Sequence, residues 1–374
     1  MQIATLTDRL RTLGAGPRHE QHLLRGWAQA LPAERGKRRM ETFLPRPVRE
    51  AWPAIEAELA GLARLQSEHP GADGSSRLLV ALGDGQAVES VLLPRGGLCV
   101  STQVGCAVGC VFCMTGRDGL LRQLGSAEIV AQVALARHRR AVDKVVFMGM
   151  GEPAHNLDAV LEAIELLGTL GGIGHKNLVF STVGDPRVFE RLPQGRVKPA
   201  LALSLHTTKA ALREQLLPRA PRLTPEQLCE EAERYARATG YPVQFQWTLI
   251  EGVNDGDDEI EGIVRLLTRP RRAAPSGLDP LGGRAGRSPD LGVHGCRYAM
   301  MNLIPWNTVD ELGYSRPSAE RAAEMSRALN RRGILTRLRQ SAGQDVEAGC
   351  GQLRSRAAQA GPRPVQVQPI TLHR

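Results

Sequence analysis

Aromatic residues are scarce in this 374-residue chain, at 4%. That excludes a single-strand binder built on aromatic stacking platforms, which needs a row of such rings. No stretch approaches the roughly 18 apolar residues that a membrane-spanning helix requires. The first residues, Met-Gln-Ile-Ala-Thr-Leu-Thr-Asp, bring an acid early and no apolar signal core. The cysteines number seven, an odd count, and four of them crowd between 99 and 113. This is not a secreted disulfide framework. A second C-x2-C pair, which a structural zinc site would want, is also missing. These absences together predict a cytoplasmic chain with reduced thiols and no membrane partner.

Enough apolar material is present, 42% of residues, for one large domain and a small one. The net charge of +9 is compatible with a polyanionic partner, nucleic acid most simply. An Arg-rich composition with no specific meaning would read the same way, so charge alone leaves the partner open.

Residues 1–66 read as a helical module, from helix-spaced Leu6, Leu10 and Leu13, then Leu23, Leu24 and Trp27. Arg35-Gly-Lys37-Arg38-Arg39 is a basic turn, either a phosphate contact or a solvated loop. The segment 67–97 reads as a short β extension, with strand-like runs at 78–82 and 88–93 around Gly83-Asp84-Gly85. Strands and helices then alternate. Strand-like runs fall at 144–148, 177–182, 200–206, 243–250, 299–304 and 334–340, and helices at 126–138, 157–170, 225–239, 257–267 and 318–332. Thr224-Pro225-Glu226-Gln227 carries a helix start: a Thr cap, proline at the first helical position and Gln closing a capping box. The rhythm predicts an α/β fold with a parallel sheet, a barrel or partial barrel whose functional loops sit at the strands' C-terminal ends. Residues 269–295, rich in Pro, Gly and Arg (269, 271, 272, 284, 287), read as a disordered insertion, and 354–374 as a loose tail.

The chemistry-bearing run is Cys106-Ala-Val-Gly-Cys110-Val-Phe-Cys113, a C-x3-C-x2-C spacing. Three thiolates on one loop can ligate three irons of a [4Fe–4S] cube and leave the fourth open, which suits a reactive cofactor better than four-cysteine electron storage. Gly149-Met150-Gly151-Glu152-Pro153 follows, and with the triad resembles the radical S-adenosylmethionine (SAM) enzymes. The likeness is closer than that. Residues 98–106 (LCVSTQVGC), Met148 to Pro153, Ser204-Leu205-His206, Gly252-Val253-Asn254-Asp255, residues 302–307 (NLIPWN) and 348–353 (AGCGQL) resemble, in order, the RlmN/Cfr family of radical SAM RNA methyltransferases. The resemblance runs from about Leu6 to Leu353 and is weaker over the N-terminal helices.

That resemblance implies a partial (β/α)6-type radical SAM barrel over 98–353, with 1–66 as an RNA-binding accessory domain and 67–97 carrying a general base. It implies Cys106, Cys110 and Cys113 as cluster ligands, and Gly151, Glu152, Ser181, Ser204, Leu205, His206 and Asn307 as SAM contacts. Glu89 would be the general base, Cys350 the methyl carrier and Cys99 its resolving partner. Two SAM molecules would be used per turnover: one methylates Cys350, and reductive cleavage of the other activates that methyl group for addition to an adenine ring carbon. A Cys99–Cys350 disulfide would form transiently. An electron donor such as flavodoxin or ferredoxin is implied, and the chain is expected to be a monomer. The implied substrate is large-subunit ribosomal RNA at adenine C2, with transfer RNA a further candidate.

Taken singly, several of these residues have bland readings. Glu89 on an alternating strand would ordinarily face solvent, and Gly-Glu-Pro or Ser-Leu-His is an ordinary strand end. The run Ser181-Thr182-Val183-Gly184-Asp185 departs from the family's Ser-Thr-Ser-Gly pattern, which puts contacts near Val183 and Asp185 in doubt. Cys229 reads as helix packing, and Cys296 has no assignable role. C8 methylation shares every motif. A radical SAM enzyme acting on protein or small molecules would need the triad but not Cys99, Glu89 and Cys350 together, and a degenerate RNA binder would have lost one of these cysteines.

Overall fold

The computed structural model describes residues 1–32, 40–268, 298–309 and 312–354. The basic turn at 35–39, the 269–295 insertion with its arginines, Cys296 and the tail beyond Arg354 lie outside the described residues.

Four helices open the chain: α1 (Ile3–Thr12), α2 (Pro17–Ala28), the single turn α3 (Met40–Phe43) and α4 (Arg46–Gly61). Their apolar stripes bury Leu6, Leu10, Leu23, Val48, Ile55 and Leu59. Three antiparallel strands follow, β1 (Arg64–Pro70), β2 (Ser76–Ala81) and β3 (Ala87–Leu93). β1 begins inside the segment expected to be helical. Its residues are polar and largely half-exposed at the sheet edge, so neither a helical nor an alternating apolar pattern marks it.

The core begins with β4 (Gly97–Cys99), followed by a small hairpin, β5 (Gln103–Gly105) and β6 (Leu120–Gln123). Then come α5 (Ser126–Arg137), β7 (Lys144–Phe147), α6 (Leu157–Thr169), β8 (Leu178–Thr182), α7 (Pro186–Arg191), β9 (Ala200–Ser204), α8 (Ala210–Leu216), α9 (Pro225–Thr239), β10 (Val243–Leu249), α10 (Asp257–Leu267), β11 (Ala299–Pro305), α11 (Ala319–Arg331) and β12 (Thr336–Leu338). The main sheet has ten strands in the order β1-β2-β3-β4-β7-β8-β9-β10-β11-β12. Every pairing from β4 to β12 is parallel. β1 and β12 are edges, so the barrel is open, and the three N-terminal strands extend the sheet.

Strand alternation sets the two faces. Val145, Phe147, Phe180, Leu203, Phe245 and Trp247 are fully buried, the apolar content expected of a parallel sheet covered by helices. Local capping agrees with the layout. Thr224 Oγ1 accepts from Gln227 N–H at 3.2 Å, the Gln227 side chain accepts from Thr224 N–H at 2.9 Å, and α9 ends on Gly240 at φ +76°. The short helices α7 and α8 were not evident as periodic runs: at six and seven residues they span less than two turns.

Phe180 sits on β8 with no exposed surface. Phe180→Ala is expected to cost about 3–5 kcal/mol, read from the denaturation midpoint; a loss below about 1 kcal/mol would contradict this core assignment.

Candidate active site

The strands' C-terminal ends bring most of the expected residues to one rim. The β4–β5 segment is held by a single hydroxyl. Ser101 Oγ donates to the Glu89 carbonyl at 2.6 Å and accepts from Met150 N–H at 2.8 Å. Gln132 brackets the same residue, accepting from Ser101 N–H and donating to its carbonyl, each at 2.9 Å. One side chain thus ties the β extension, the approach to the cysteine loop and the Gly-Glu turn together.

The cysteine loop rests on a small apolar cluster of Val108, Val111, Phe112, Val183, Leu216, Leu217, Ile250 and Trp306. Trp306 Nε1 donates to the Phe112 carbonyl at 3.1 Å and pins it. Burial pushes the Cys106 thiol up to about 12, while the backbone N–H groups of Val108 and Gly109 favour its thiolate. The Cys113 thiol is also raised by burial, and Thr115 and the Gly116 N–H oppose that by hydrogen bonding to its sulfur. Cys110 is raised by burial and by both neighbours. Among the described residues no three His, Cys, Asp or Glu side chains converge tightly enough to hold one metal ion. Three thiols on one loop, with N–H donors toward their sulfurs, are a donor set that fits an iron–sulfur cluster.

Gly151 has φ +105°, and a Cβ there would come within 2.7 Å of Gln103 side-chain atoms. Only glycine fits. Gln103 Oε1 accepts from Glu152 N–H at 2.7 Å, which aims the carboxyl inward. Glu152 is buried; Ala154 N–H and Val183 N–H donate to it at 3.1 and 3.0 Å. Desolvation nonetheless lifts it to about 7. The doubtful Val183 therefore contributes through its backbone, and its side chain packs under the cysteine loop. Asp185 caps α7 by accepting from Arg187 N–H at 2.9 Å.

Ser181 and Ser204 are half-buried at the ends of β8 and β9. Leu205 is fully buried and its N–H donates to the Gln246 carbonyl at 3.1 Å. His206 has φ +62°, stacks edge-on against Phe112 at 4.9 Å, and accepts on Nδ1 from Thr248 N–H at 3.0 Å. Its proton therefore sits on Nε2. Burial, then Arg213, depress its pKa to about 3, so the ring is neutral. Asn254 Nδ2 fixes the His206 carbonyl at 2.7 Å. Asn307 Nδ2 donates to Ser341 Oγ at 2.8 Å and to the Cys350 carbonyl at 2.9 Å, while its buried Oδ1 has no partner. That orphaned acceptor, the rim hydroxyls and the Glu152 carboxyl make a polar cradle beside the cysteine loop, which fits a ligand such as SAM.

Cys350 lies on an exposed loop held from two sides. Met114 N–H donates to the Gly351 carbonyl at 2.7 Å and Thr115 Oγ1 to the Leu353 carbonyl at 2.7 Å. From the β extension, Arg77 Nε donates to the Val346 carbonyl at 2.6 Å, and Asp73 accepts from Gly343 N–H at 3.0 Å. The Cys350 sulfur is within electrostatic reach of both Cys99 and Cys113. Burial raises Cys99 to about 12. Glu89 is not on a solvent face: it is fully buried, paired with Arg77 at 2.5 Å, and accepts from Arg354 N–H at 2.9 Å.

Three residues of this site lie outside every motif read in the sequence: Arg77, Gln132 and Arg213. Arg213, on α8, donates to the Val183 carbonyl at 2.5 Å and the Ser204 carbonyl at 3.2 Å, joining two rim loops. Cys229 is half-buried against the main core and away from this rim.

Residues 100–267 match the radical SAM superfamily. A protein named probable RNA methyltransferase from Methylibium petroleiphilum is 69% identical, covering 99% of this chain and 97% of that one. One of the same name from Pseudomonas aeruginosa is 62% identical, covering 96% of each. The crystal structure of a radical SAM methyltransferase from Sphaerobacter thermophilus superposes with a TM-score of 0.75 at 32% identity, covering 96% of this chain and 98% of that one.

His206 is neutral down to about 3 in the folded chain, against an ordinary value of 6.5. The unfolded chain takes up a proton as pH falls through 6.5 and the folded chain does not, so this stability is present above 6.5 and is lost as pH falls toward 3. His206→Asn should flatten the pH dependence of the urea midpoint in that window; an unchanged slope would refute a buried neutral ring.

Proposed function

The chain belongs to the RlmN/Cfr family of radical SAM RNA methyltransferases, and on that premise we propose that it methylates an adenosine ring carbon in large-subunit ribosomal RNA, at C2 in preference to C8. Transfer RNA is a second substrate to test. The observation that carries this reading is the docking of the Cys350 loop on the cysteine loop, where Met114 N–H donates to the Gly351 carbonyl at 2.7 Å, with Cys99 in electrostatic reach of Cys350. An enzyme using only the cysteine triad would have no need of that outlying pair. No helix among the described residues is long and apolar enough to cross a membrane. A cytoplasmic monomer, reduced by a flavodoxin or ferredoxin, is part of the proposal.

A [4Fe–4S] cluster and SAM, which the superfamily implies, supply the methyl group and its one-electron activation. Cys106, Cys110 and Cys113 would hold the cluster, and Gly151, Glu152, Ser181, Ser204 to His206 and Asn307 would seat SAM. Two SAM molecules are consumed per turnover. Cys350 loses its thiol proton and accepts a methyl group, becoming the carbon donor. Its loop, clamped between the cluster loop and the β extension, keeps that carbon near the rim. Glu89 removes the ring proton after the carbon–carbon bond forms; it must first exchange the Arg77 and Arg354 contacts for the substrate, since a base works only within hydrogen-bond reach. The Cys99 thiolate then attacks the Cys350 sulfur and breaks its bond to the CH2 group on the base, whose carbon takes up a proton to become the methyl; the two sulfurs close a disulfide that external reductant reopens.

Cys99→Ala should accumulate a covalent protein–RNA adduct through Cys350; purified variant free of RNA, with methylation continuing, would refute the scheme. Cys106→Ala should lose the iron–sulfur absorbance entirely, and a retained cluster would refute the ligand assignment. Nucleoside mass spectrometry from a methylation-deficient host expressing the chain separates C2 from C8 products.

A further inference from the structure

Many of the chain's cations have a carboxylate partner: Arg122 pairs with Asp84 and Glu128, Arg187 with Asp185, and Arg321 with Asp257. Lys144, Arg337 and Arg339 differ. Among the described residues, none of their side chains makes an ion pair or hydrogen bond, and strand register puts all three on the same face of the sheet.

Their placement follows from register. On β7, Val145 and Phe147 are fully buried under the helices, so Lys144 points to the opposite face. On β12, Thr336 is buried beneath α11, and Arg337 and Arg339 fall on the other face. Arg337 stands opposite Asn302, Asn302 opposite Gln246, and Gln246 opposite Ser204, a polar row across four parallel strands. Asn302 is fully buried. Its Nδ2 reaches Gln244 Oε1 at 3.4 Å, and its Oδ1 has no partner. A buried acceptor with no donor is costly unless something fills the cavity.

The charges are near enough to influence one another. The Lys144 ammonium is held below its usual range by burial and then by Arg339 and Arg337. Arg339 also acts on the Cys350 sulfur. Arg337 on β12 and Arg339 just past its end thus share one face of a sheet edge, and Lys144 stands on the same face at the start of β7. Uncompensated like charges beside an unfilled polar row suit an anionic ligand.

We propose that Lys144, Arg337 and Arg339 form a phosphate-binding subsite for the RNA nucleotide being methylated, with Asn302 and Gln246 as the polar floor that meets its base or ribose. The subsite rests on the RNA reading above and extends it to named contacts. Arg337 and Arg339 offer planar donor forks suited to phosphate, and Lys144 a point charge behind them.

The test uses the full chain with its cluster, a labelled oligoadenylate over a series of KCl concentrations, and methylation of ribosomal RNA from a methylation-deficient host. Arg337→Gln, Arg339→Gln and Lys144→Gln should each weaken oligoadenylate binding about tenfold and lower the salt slope by about 0.7 per cation removed. KM for RNA should rise more than kcat falls, while SAM binding and iron–sulfur absorbance stay at wild-type levels. Arg337→Lys should restore most of the slope. Arg234→Gln, on the outer helix α9, removes the same charge and should change nothing. If the three variants bind and methylate like wild type, the subsite is wrong and the RNA reading stands. If the wild-type enzyme neither binds nor methylates RNA, the RNA reading fails and this subsite with it.

Discussion

The Ser101 hydroxyl is the contact on which the arrangement of the rim depends. It donates to the Glu89 carbonyl and accepts from Met150 N–H, and Gln132 closes both backbone groups of the same residue. All of these atoms are buried, so none can turn to water if the contact is lost. Three segments distant in sequence are registered by that one knot: the β extension, the run from Cys99 to Cys106, and the Gly-Glu turn. A shift in any of them would move the proposed base, the resolving cysteine or the SAM cradle relative to the other two.

Burial at the rim sets the charge states as well. Glu152 is raised to about 7 and His206 lowered to about 3, both chiefly by desolvation. These are opposite shifts with one cause, since each group is driven toward its neutral form. The thiol of Cys99 responds in the same way. The rim resists charge until a ligand brings compensation, whereas the sheet face beside β12 holds positive charge without an answering acid.

Much of the fold was legible because its signals are local. The strand at 243–250 and the helix at 225–239 carry their own periodicity and caps, and the structure places them at Val243–Leu249 and Pro225–Thr239. β1 was hidden because an edge strand needs no apolar alternation, and α7 and α8 because they are too short to show a period. The cysteine triad and the Gly-Glu turn are contiguous and could be read directly. Arg77 and Arg213 could not, because each matters through partners that only the fold brings to it: Glu89 on the next strand, and the carbonyls of two separate loops. The buried position of Glu89 was likewise invisible, since alternation alone places a strand glutamate in water.

The two-sided grip on the Cys350 loop has a consequence for synthesis. Its distant anchors are Met114 and Thr115 early in the core and Arg77 in the extension, and these leave the ribosome long before the loop does. The docking site is complete while its occupant is still being made, and long-range closure of this kind is among the last steps of a parallel fold. A truncated or half-made chain can therefore own the cysteine triad and lack the proposed carbon carrier. Its most reactive parts are kept apart by the order of translation until the molecule is whole.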